Sequence, residues 1–316
     1  MLQKQTKFSC LIAIWVAISF TASSYAQEKE LPGSMVERHK RFQSDVQTLI
    51  TQKLSSVALA RAIEREFEKY QFVDPSIASL NPFGVSDLRA LFDALNTKSF
   101  YAESTHNAHA LERAALALAR RTELRPSDVK AVYGAFVAAR LFDDATRFKD
   151  RTNFSPSESL PLTLNNTKAS LTTTLWFADK TARILERRTI PELSGIQLVV
   201  VVSPQCQFST LAMKTIGLNA KLAALLQPLT YWIVPPDRSL DFSKIQRWNV
   251  VHNLLPFTLV HKKEDWAFVD SWETPEFYFL KDGKVVDRLT GWPRDGSHEP
   301  MLLRKLHALQ LSAPEK

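Results

Sequence analysis

The residues best suited to chemistry surround a cysteine, Cys206, in the C-terminal half of the chain. Four consecutive valines at residues 199–202 are β-branched and apolar on both faces, which predicts a strand covered on both sides. Ser203-Pro204 ends this strand, and apolar residues recur at helical spacing from Phe208 onward. A thiol in the first turn of a helix faces unpaired N–H groups and the positive end of the helix dipole. Both favour the thiolate, so the sequence predicts a nucleophilic cysteine at a strand-to-helix junction.

The residues that follow the thiol complete a candidate site. Ser209 lies three positions after Cys206, with Gln207 and Phe208 between them. We expect the Ser209 hydroxyl, the Gln207 side chain and the N–H groups of this first turn to stabilise a thiolate by hydrogen bonding. Cys206 and Ser209 are therefore the candidate reactive pair.

The elements that must position Cys206 follow in a recognisable order. Thr274-Pro275 precedes an apolar strand, an Asp-Gly turn joins it to a second strand, and an amphipathic helix ends the series. The predicted elements are the strands 276–280 and 285–289, the turn 281–284, the stretch 291–293 and the helix 298–309. This order, together with the strand–Cys–helix junction, resembles the thioredoxin fold over residues 171–316. The resemblance implies an α/β domain with a central mixed sheet flanked by helices, and a cis-proline at Pro275 opposite Cys206.

The resemblance also implies thiol–disulfide chemistry, with one departure from the family pattern. In thioredoxin-like proteins the first cysteine of a CxxC motif attacks a disulfide and the second resolves the mixed disulfide, but here Ser209 takes the second position. A serine hydroxyl is far too weak an acid to act as a thiolate, so an outside thiol must release the partner. This CxxS site predicts monothiol exchange with protein thiols or disulfides, without a cofactor. The residues that the resemblance assigns to substrate contact are Gln207, Phe208, Thr274 and Pro275.

Other interpretations of the site remain open. The four residues from Cys206 also resemble the CGFS site of monothiol glutaredoxins, which bind an iron–sulfur cluster with glutathione, except that Gln207 replaces the glycine. Residues 203–206 match the [Thr/Ser]-x-x-Cys part of peroxiredoxins, but Val199 stands where those proteins carry a proline. If the thioredoxin-like domain is degenerate, the chain is a non-catalytic protein-binding module or scaffold. Whether it is an enzyme, as an oxidoreductase or isomerase-like helper, therefore stays open.

The N-terminus predicts export. Lys4 and Lys7 precede the apolar stretch 8–20, and Ser24-Tyr25-Ala26 has the small-x-small pattern of a cleavage site, so residues 1–26 are a predicted signal peptide. The competing interpretation is an uncleaved membrane anchor, for which the apolar stretch is shorter than the roughly 20 residues of a spanning helix. The expected location is the periplasm of a Gram-negative-like cell, or secretion as the alternative. Cys10 would leave with the signal peptide, so Cys206 would have no internal disulfide partner.

Charge and composition weigh against other classes of function. Removal of Lys4 and Lys7 would leave 38 basic and 33 acidic residues, which lowers the net charge from +7 to about +5. The cations are spread along the chain without interleaved aromatic residues, so nucleic-acid binding is not expected. The seven histidines show no metal-ligand spacing, so no metal site is predicted.

The N-terminal part predicts an all-α domain over residues 27–150. Apolar residues recur there at three and four positions, and Ser86 and Ser104 are predicted helix N-caps. The last two predicted helices are weakly similar to a tetratricopeptide hairpin, although the period of about 34 residues is not found. Such a bundle could present a groove to a protein partner. Prolines and polar residues predict a linker at 151–170, and a β-hairpin at 171–188 opens the C-terminal domain.

Overall fold

The computed structural model describes residues 33–72, 78–165, 173–179 and 183–311 of the 316-residue chain. These residues belong to one contact unit, which begins at Gly33. The predicted signal peptide at residues 1–26, with Cys10, lies outside the described residues. So do residues 166–170 of the predicted linker and residues 171–172 and 180–182 of the predicted hairpin.

The part of the chain before the sheet is helical. Its α-helices within the described ranges are α1 (Met35–Thr51), α2 (Ser56–Lys69), α3 (Val85–Tyr101), α4 (Thr105–Ala119), α5 (Pro126–Ala138) and α6 (Phe142–Thr152). Ser104 caps α4 as predicted, because its side chain accepts the Asn107 N–H. The prediction for Ser86 is wrong: Gly84 is the N-cap of α3, so Ser86 lies inside the first turn. Glycine is also common at the N-cap, although it has no side chain to accept a hydrogen bond. A prediction based on hydroxyl side chains therefore does not identify it.

The sheet has mixed strand directions. Its strands in the described residues are β1 (Leu162–Asn165), β2 (Thr174–Ala178), β3 (Ile184–Thr189), β4 (Ile196–Val201), β5 (Thr230–Val234), β6 (Phe257–Val260), β7 (Glu276–Lys281) and β8 (Lys284–Thr290). The helices between and after them are α7 (Gln207–Leu218), α8 (Ala220–Leu226), α9 (Phe242–Val251) and α10 (His298–Leu311). The strand order is β1-β3-β2-β6-β5-β4-β7-β8, with β4 parallel to β5 and antiparallel to β7. The element order from β4 to α10 agrees with the order that the resemblance implied.

Both faces of the central strand β4 are covered. Val199 and Val201 belong to a buried cluster that includes Trp266 and against which Val57 of α2 packs. On the alternate positions Val200 is fully buried, and its partner on β7, Phe277, contacts the ring of Trp232 at 6.3 Å between centroids. The prediction of a strand buried on both sides is therefore confirmed.

Polar contacts join the first helices to the sheet segments. The Arg238 guanidinium donates to the Asn96 Oδ1 at 2.6 Å and to the Ser99 Oγ at 2.8 Å, both on α3. Lys263, just after β6, pairs with Glu103 at 2.9 Å in a largely buried position. These side chains reach across from the connections that follow β5 and β6, so the ends of two strands are anchored to the helical part.

Gly134 of α5 allows the close approach of Arg238. A Cβ at residue 134 would lie 3.0 Å from the Arg238 Cβ and 3.2 Å from the Arg238 carbonyl oxygen. The Gly134→Ala variant is expected to be less stable by roughly 1–2 kcal/mol, because overpacking outweighs a helix-propensity gain of about 1 kcal/mol. Urea unfolding of both proteins measures the difference. An alanine variant more stable than the wild type would show that Arg238 and its segment move away from the new Cβ at little energetic cost.

His261, next to the end of β6, is held in its neutral form. Its Nδ1 accepts the indole N–H of Trp176 at 3.1 Å. Burial, with nearby cations such as Arg187, lowers the pKa of His261 to about 3. An unfolded histidine takes up a proton below about pH 6.5, whereas the folded one resists until about pH 3. Folding stability must therefore fall as pH drops through this window.

The His261→Asn variant tests this dependence, because the amide oxygen of asparagine accepts the Trp176 N–H but does not titrate. Between pH 7 and pH 4 we expect the wild type to lose roughly 1–3 kcal/mol more stability than the variant. Urea unfolding at the two pH values gives the comparison, and carboxyl titration is common to both proteins. Equal losses in the two would mean that His261 does not resist protonation in the folded state.

Two elements differ from those predicted. Residues 162–165, inside the predicted linker, form β1, which pairs with β3 in parallel. The alternation Leu-Thr-Leu-Asn is typical of a strand, but its polar and proline-rich surroundings favoured a linker. The resemblance also implied a helix at 264–269, before the cis-proline, but only the 3₁₀ turn Lys263–Trp266 forms there, because so short a segment does not complete several α-helical turns.

Candidate functional site

A closed loop holds Cys206 at the junction of β4 and α7. Cys206 is the N-cap residue of α7, and its N–H donates to the Ser203 carbonyl oxygen at 3.1 Å. The Ser203 N–H in turn donates to the Ser209 Oγ at 3.2 Å. Ser209 is fully buried, so its hydroxyl ties the first turn of α7 to the end of the strand. Cys206 itself is partly exposed and carries a free thiol.

The segment before β7 brings Thr274 and Pro275 to this thiol. Because Glu276 at the start of β7 pairs with Val201 at the end of β4, the preceding residues lie beside the Cys206 loop. The Thr274–Pro275 peptide bond is cis, as the resemblance implied. The Cys206 thiol donates to the Thr274 carbonyl oxygen, with 3.2 Å between Sγ and oxygen. Three of the predicted site residues, Cys206, Thr274 and Pro275, are thus adjacent.

The pKa of the Cys206 thiol is below its ordinary value. Burial acts to raise the pKa, but hydrogen bonds from the Ser209 N–H, the Thr274 and Ser209 hydroxyls and the Phe208 N–H together lower it. The Thr274 carbonyl acts in the opposite sense, because it accepts the thiol proton and so favours the neutral form. Four donors outweigh burial and this one acceptor, so the pKa is lowered and the thiolate fraction is larger than in an ordinary cysteine.

Two of the predicted site residues flank the thiol in ways that the sequence does not indicate. The Gln207 Oε1 accepts a hydrogen bond from the Arg294 Nη2 at 3.2 Å, so this side chain is turned toward Arg294. The donors that lower the pKa of Cys206 are those of Phe208, Ser209 and Thr274. A contribution from the Gln207 amide group stays a prediction. Phe208 is 41% exposed and presents an apolar ring next to Cys206.

Sequence reasoning missed two cations near the site. Arg294 follows the 291–293 stretch, which was part of the recognised pattern, so its position beside α7 could have been inferred from the order of elements. Arg140 is buried, and it lines a small cavity together with Ser203 and Gln205 of the Cys206 loop. No pattern in the sequence predicts that Arg140 lies near the Cys206 loop, because the two are 66 positions apart.

A cleft of about 880 Å³ opens beside the Cys206 loop. Lys130, Tyr133 and Gly134 of α5 line one wall, and Gln205, the residue before Cys206, lies at its edge. The remaining lining comes from residues 154–160 and 238–243. The cleft is therefore shared between the helical part and the segments that surround the thiol.

Comparison with known proteins gives one similarity to a solved structure. No protein-family model matches the chain, and no curated protein matches it. The solution structure of a "Putative Thioredoxin from Neisseria meningitidis" is similar at 14% sequence identity and a TM-score of 0.31. The similarity covers 47% of this chain and 95% of that one. Separately, none of the helices in the described ranges has both the length and the apolar character needed to cross a membrane.

Proposed function

We propose that the chain is a thioredoxin-like protein that carries out monothiol thiol–disulfide exchange through Cys206. The observation that supports this most directly is the position of the Cys206 Sγ, 3.2 Å from the Thr274 carbonyl oxygen and within reach of four thiolate-stabilising donors. A lowered pKa increases the fraction of thiolate, which is the attacking species in exchange reactions. The partners in this proposal are protein thiols or disulfides.

The proposed reaction has two steps and needs no second cysteine. The Cys206 thiolate attacks one sulfur of a partner disulfide, a new S–S bond forms, and the other partner sulfur leaves as a thiolate. An outside thiol then attacks the mixed disulfide and restores Cys206. Ser209 supplies hydrogen bonds to the thiolate but cannot carry out this second attack. Phe208, Thr274 and Pro275 surround the reacting sulfur as the proposed substrate contacts.

Export belongs to the proposal as well. We propose that residues 1–26 direct the chain to the periplasm, or to secretion, where Cys206 meets oxidised partners. A lone thiol in an oxidising compartment has no internal partner, which suits exchange between molecules.

Alkylation with iodoacetamide as a function of pH tests the proposal. The thiol of Cys206 is expected to react with a midpoint below about pH 8.5, the ordinary value for cysteine. The Cys10→Ser protein should keep this reaction and Cys206→Ser should lose it, which assigns the reactive group. A midpoint at or above that of free cysteine would remove the chemical basis of the proposal.

The cleft beside α5 favours a second candidate function, a non-catalytic protein-binding module. A concavity of about 880 Å³ between two parts of the chain is large enough for several side chains of a partner. In this case partner binding would survive in the Cys206→Ser variant, whereas the first proposal requires that the covalent complex be lost.

A further inference from the structure

A small, mostly apolar groove lies beside the Cys206 loop, with a lining separate from that of the cleft. Its volume is about 250 Å³, and Pro204, Thr210, Trp248, Val251 and Phe257 are among its lining residues. Val251 is 72% exposed, and Val250 and Leu254 nearby are exposed as well. Large aliphatic side chains grouped on a surface in this way mark a place where another molecule can bind.

One stripe of α9 forms a wall of this groove. Lys244, Arg247, Trp248 and Val251 recur at intervals of three and four residues and so share one side of the helix. Trp248 is fixed in place: its ring stacks on His252 at 3.8 Å between centroids, and its Nε1 donates to the Leu255 carbonyl oxygen at 3.1 Å. The stripe is therefore a firm surface with two flexible cations on it.

The groove is positively charged. Lys244 and Arg247 line it, the described lining contains no carboxylate, and burial keeps His252 neutral by lowering its pKa. Neither Lys244 nor Arg247 forms an ion pair with the acidic groups that the structure describes. Asp241, the N-cap residue of α9, uses its Oδ1 to accept the Lys244 backbone N–H at 3.0 Å. Both side-chain charges are thus free to meet an anionic group from outside.

The groove adjoins the loop that carries the reactive thiol. Pro204 lies two residues before Cys206, and Thr210, four residues after it, donates from its Oγ1 to the Cys206 carbonyl oxygen at 3.0 Å. A third cation, the guanidinium of Arg294, donates to Gln207, the first residue of α7. The cations of the groove and Arg294 therefore all lie near the first turn of α7, where Cys206 is the N-cap residue.

We propose that this groove is the docking site for the exchange partner, and that the partner segment carries acidic residues beside an apolar side chain near its reactive cysteine. The inference rests on the proposed exchange activity of Cys206 and adds the chemistry of its protein partner. The apolar side chain packs against Val251, Pro204 and Phe257, and the carboxylates meet Lys244 and Arg247. Complementary charge raises the rate of encounter by up to several hundredfold at low salt.

The test compares two peptides that differ only in charge. Each carries one cysteine activated as a mixed disulfide with thionitrobenzoate, and a leucine near it flanked by two glutamates or by two lysines. The Cys206 thiolate attacks the peptide sulfur, the protein–peptide disulfide forms, and thionitrobenzoate leaves with the electron pair of the broken bond. The full chain with Cys10→Ser is used, and the release of thionitrobenzoate gives the second-order rate constant.

We expect the acidic peptide to react at least about 10-fold faster than the basic one at low ionic strength, and the ratio to approach one at about 1 M salt. The double variant Lys244→Glu/Arg247→Glu should abolish or reverse the preference. The matched control is Lys214→Glu/Lys221→Glu, which changes net charge equally on α7 and α8 outside the groove and should leave most of the preference intact.

Three outcomes would overturn the inference. Equal rates for the two peptides at low salt would remove the charge preference, and an equal effect of the control pair would assign it to net charge alone. A shift of the groove variant from dimer to monomer in sedimentation would mean that a second copy of the chain occupies the groove. Iodoacetamide separates these failures from failure of the exchange proposal, because a neutral reagent reports the reactivity of Cys206 without docking.

Discussion

With Ser209 replaced by cysteine, the chain is expected to form an internal disulfide with Cys206 and to stop accumulating mixed disulfides. The Ser209 hydroxyl already hydrogen-bonds the Cys206 thiolate, so a sulfur on the same Cβ comes within reach of the Cys206 Sγ after a small rotation. An attacking group held in place has an effective concentration far above that of an outside thiol. The lifetime of a mixed disulfide at Cys206 should therefore fall by at least about 100-fold.

The stoichiometry of the reaction with dithiobis-nitrobenzoate measures this change. In a Cys10→Ser background the protein with Ser209 should release one thionitrobenzoate, since Cys206 keeps the other as a mixed disulfide. The Ser209→Cys variant should release two, because the new thiol displaces the second as the internal disulfide forms. Ser209→Ala is the matched control: it should release one and react with a higher midpoint pH, having lost a hydroxyl donor. Two thionitrobenzoates held by a reduced Ser209→Cys variant would contradict the geometry.

The sequence predicts well the part of the site whose signals are local. The valines of β4, the Ser-Pro stop and the apolar spacing of α7 each fix a strand, a turn or a helix within a few residues. Their junction therefore places Cys206 at a helix N-terminus without knowledge of the rest of the fold. The position of Thr274-Pro275 beside Cys206 could not be predicted from local signals, because β7 and β4 pair residues more than 70 positions apart. That prediction depended on the order of elements that the resemblance implied.

What the sequence could not predict depends on which side chain meets which across the fold. Gln207 lies next to the thiol in sequence, and its amide oxygen accepts a hydrogen bond from Arg294 of a distant connection. From the sequence, Gly134 is only a glycine that lowers the helix propensity of α5. The structure shows that Arg238 packs against it at a distance that leaves little room for a Cβ. Neither contact produces a periodic pattern in the sequence. Arg294 is 87 positions from Gln207, and Arg238 is about 100 positions from Gly134, so local residue preferences do not predict either pair.

Arg140 shows how the helical part supports the ends of the strands near the site. It follows α5 in the left-handed region with φ of 57°, a conformation that glycine adopts most readily. The residue is 5% exposed, and its guanidinium donates to the Val260 carbonyl oxygen at 3.0 Å and to the Pro235 carbonyl oxygen at 3.1 Å. Burial lowers the pKa of Arg140 to about 10, so the side chain remains a cation at neutral pH.

The Arg140→Met variant is expected to lose roughly 2–4 kcal/mol of stability, since the carbonyl groups of Pro235 and Val260 would be left buried without donors. Arg147→Met on α6 is the matched control, because this arginine is mostly exposed and pairs with Asp144 one helical turn away. Its loss should cost less than about 1 kcal/mol. Urea unfolding compares the two. Equal stability of the two variants would mean that the buried bonds of Arg140 only offset the cost of burying its charge.

The Arg140→Met substitution should also affect the Cys206 loop. Arg140 shares a small cavity with Ser203 and Gln205, and β5, whose end it holds through Pro235, pairs with β4. Once those ends loosen, we expect the Cys206 N–H bond to the Ser203 carbonyl to open more often, which hydrogen exchange detects as reduced protection at this amide. Arg147→Met should leave that protection unchanged. If Arg140→Met unfolds more easily but exchanges at Cys206 as the wild type does, then the Cys206 loop is held by β4 and α7 alone.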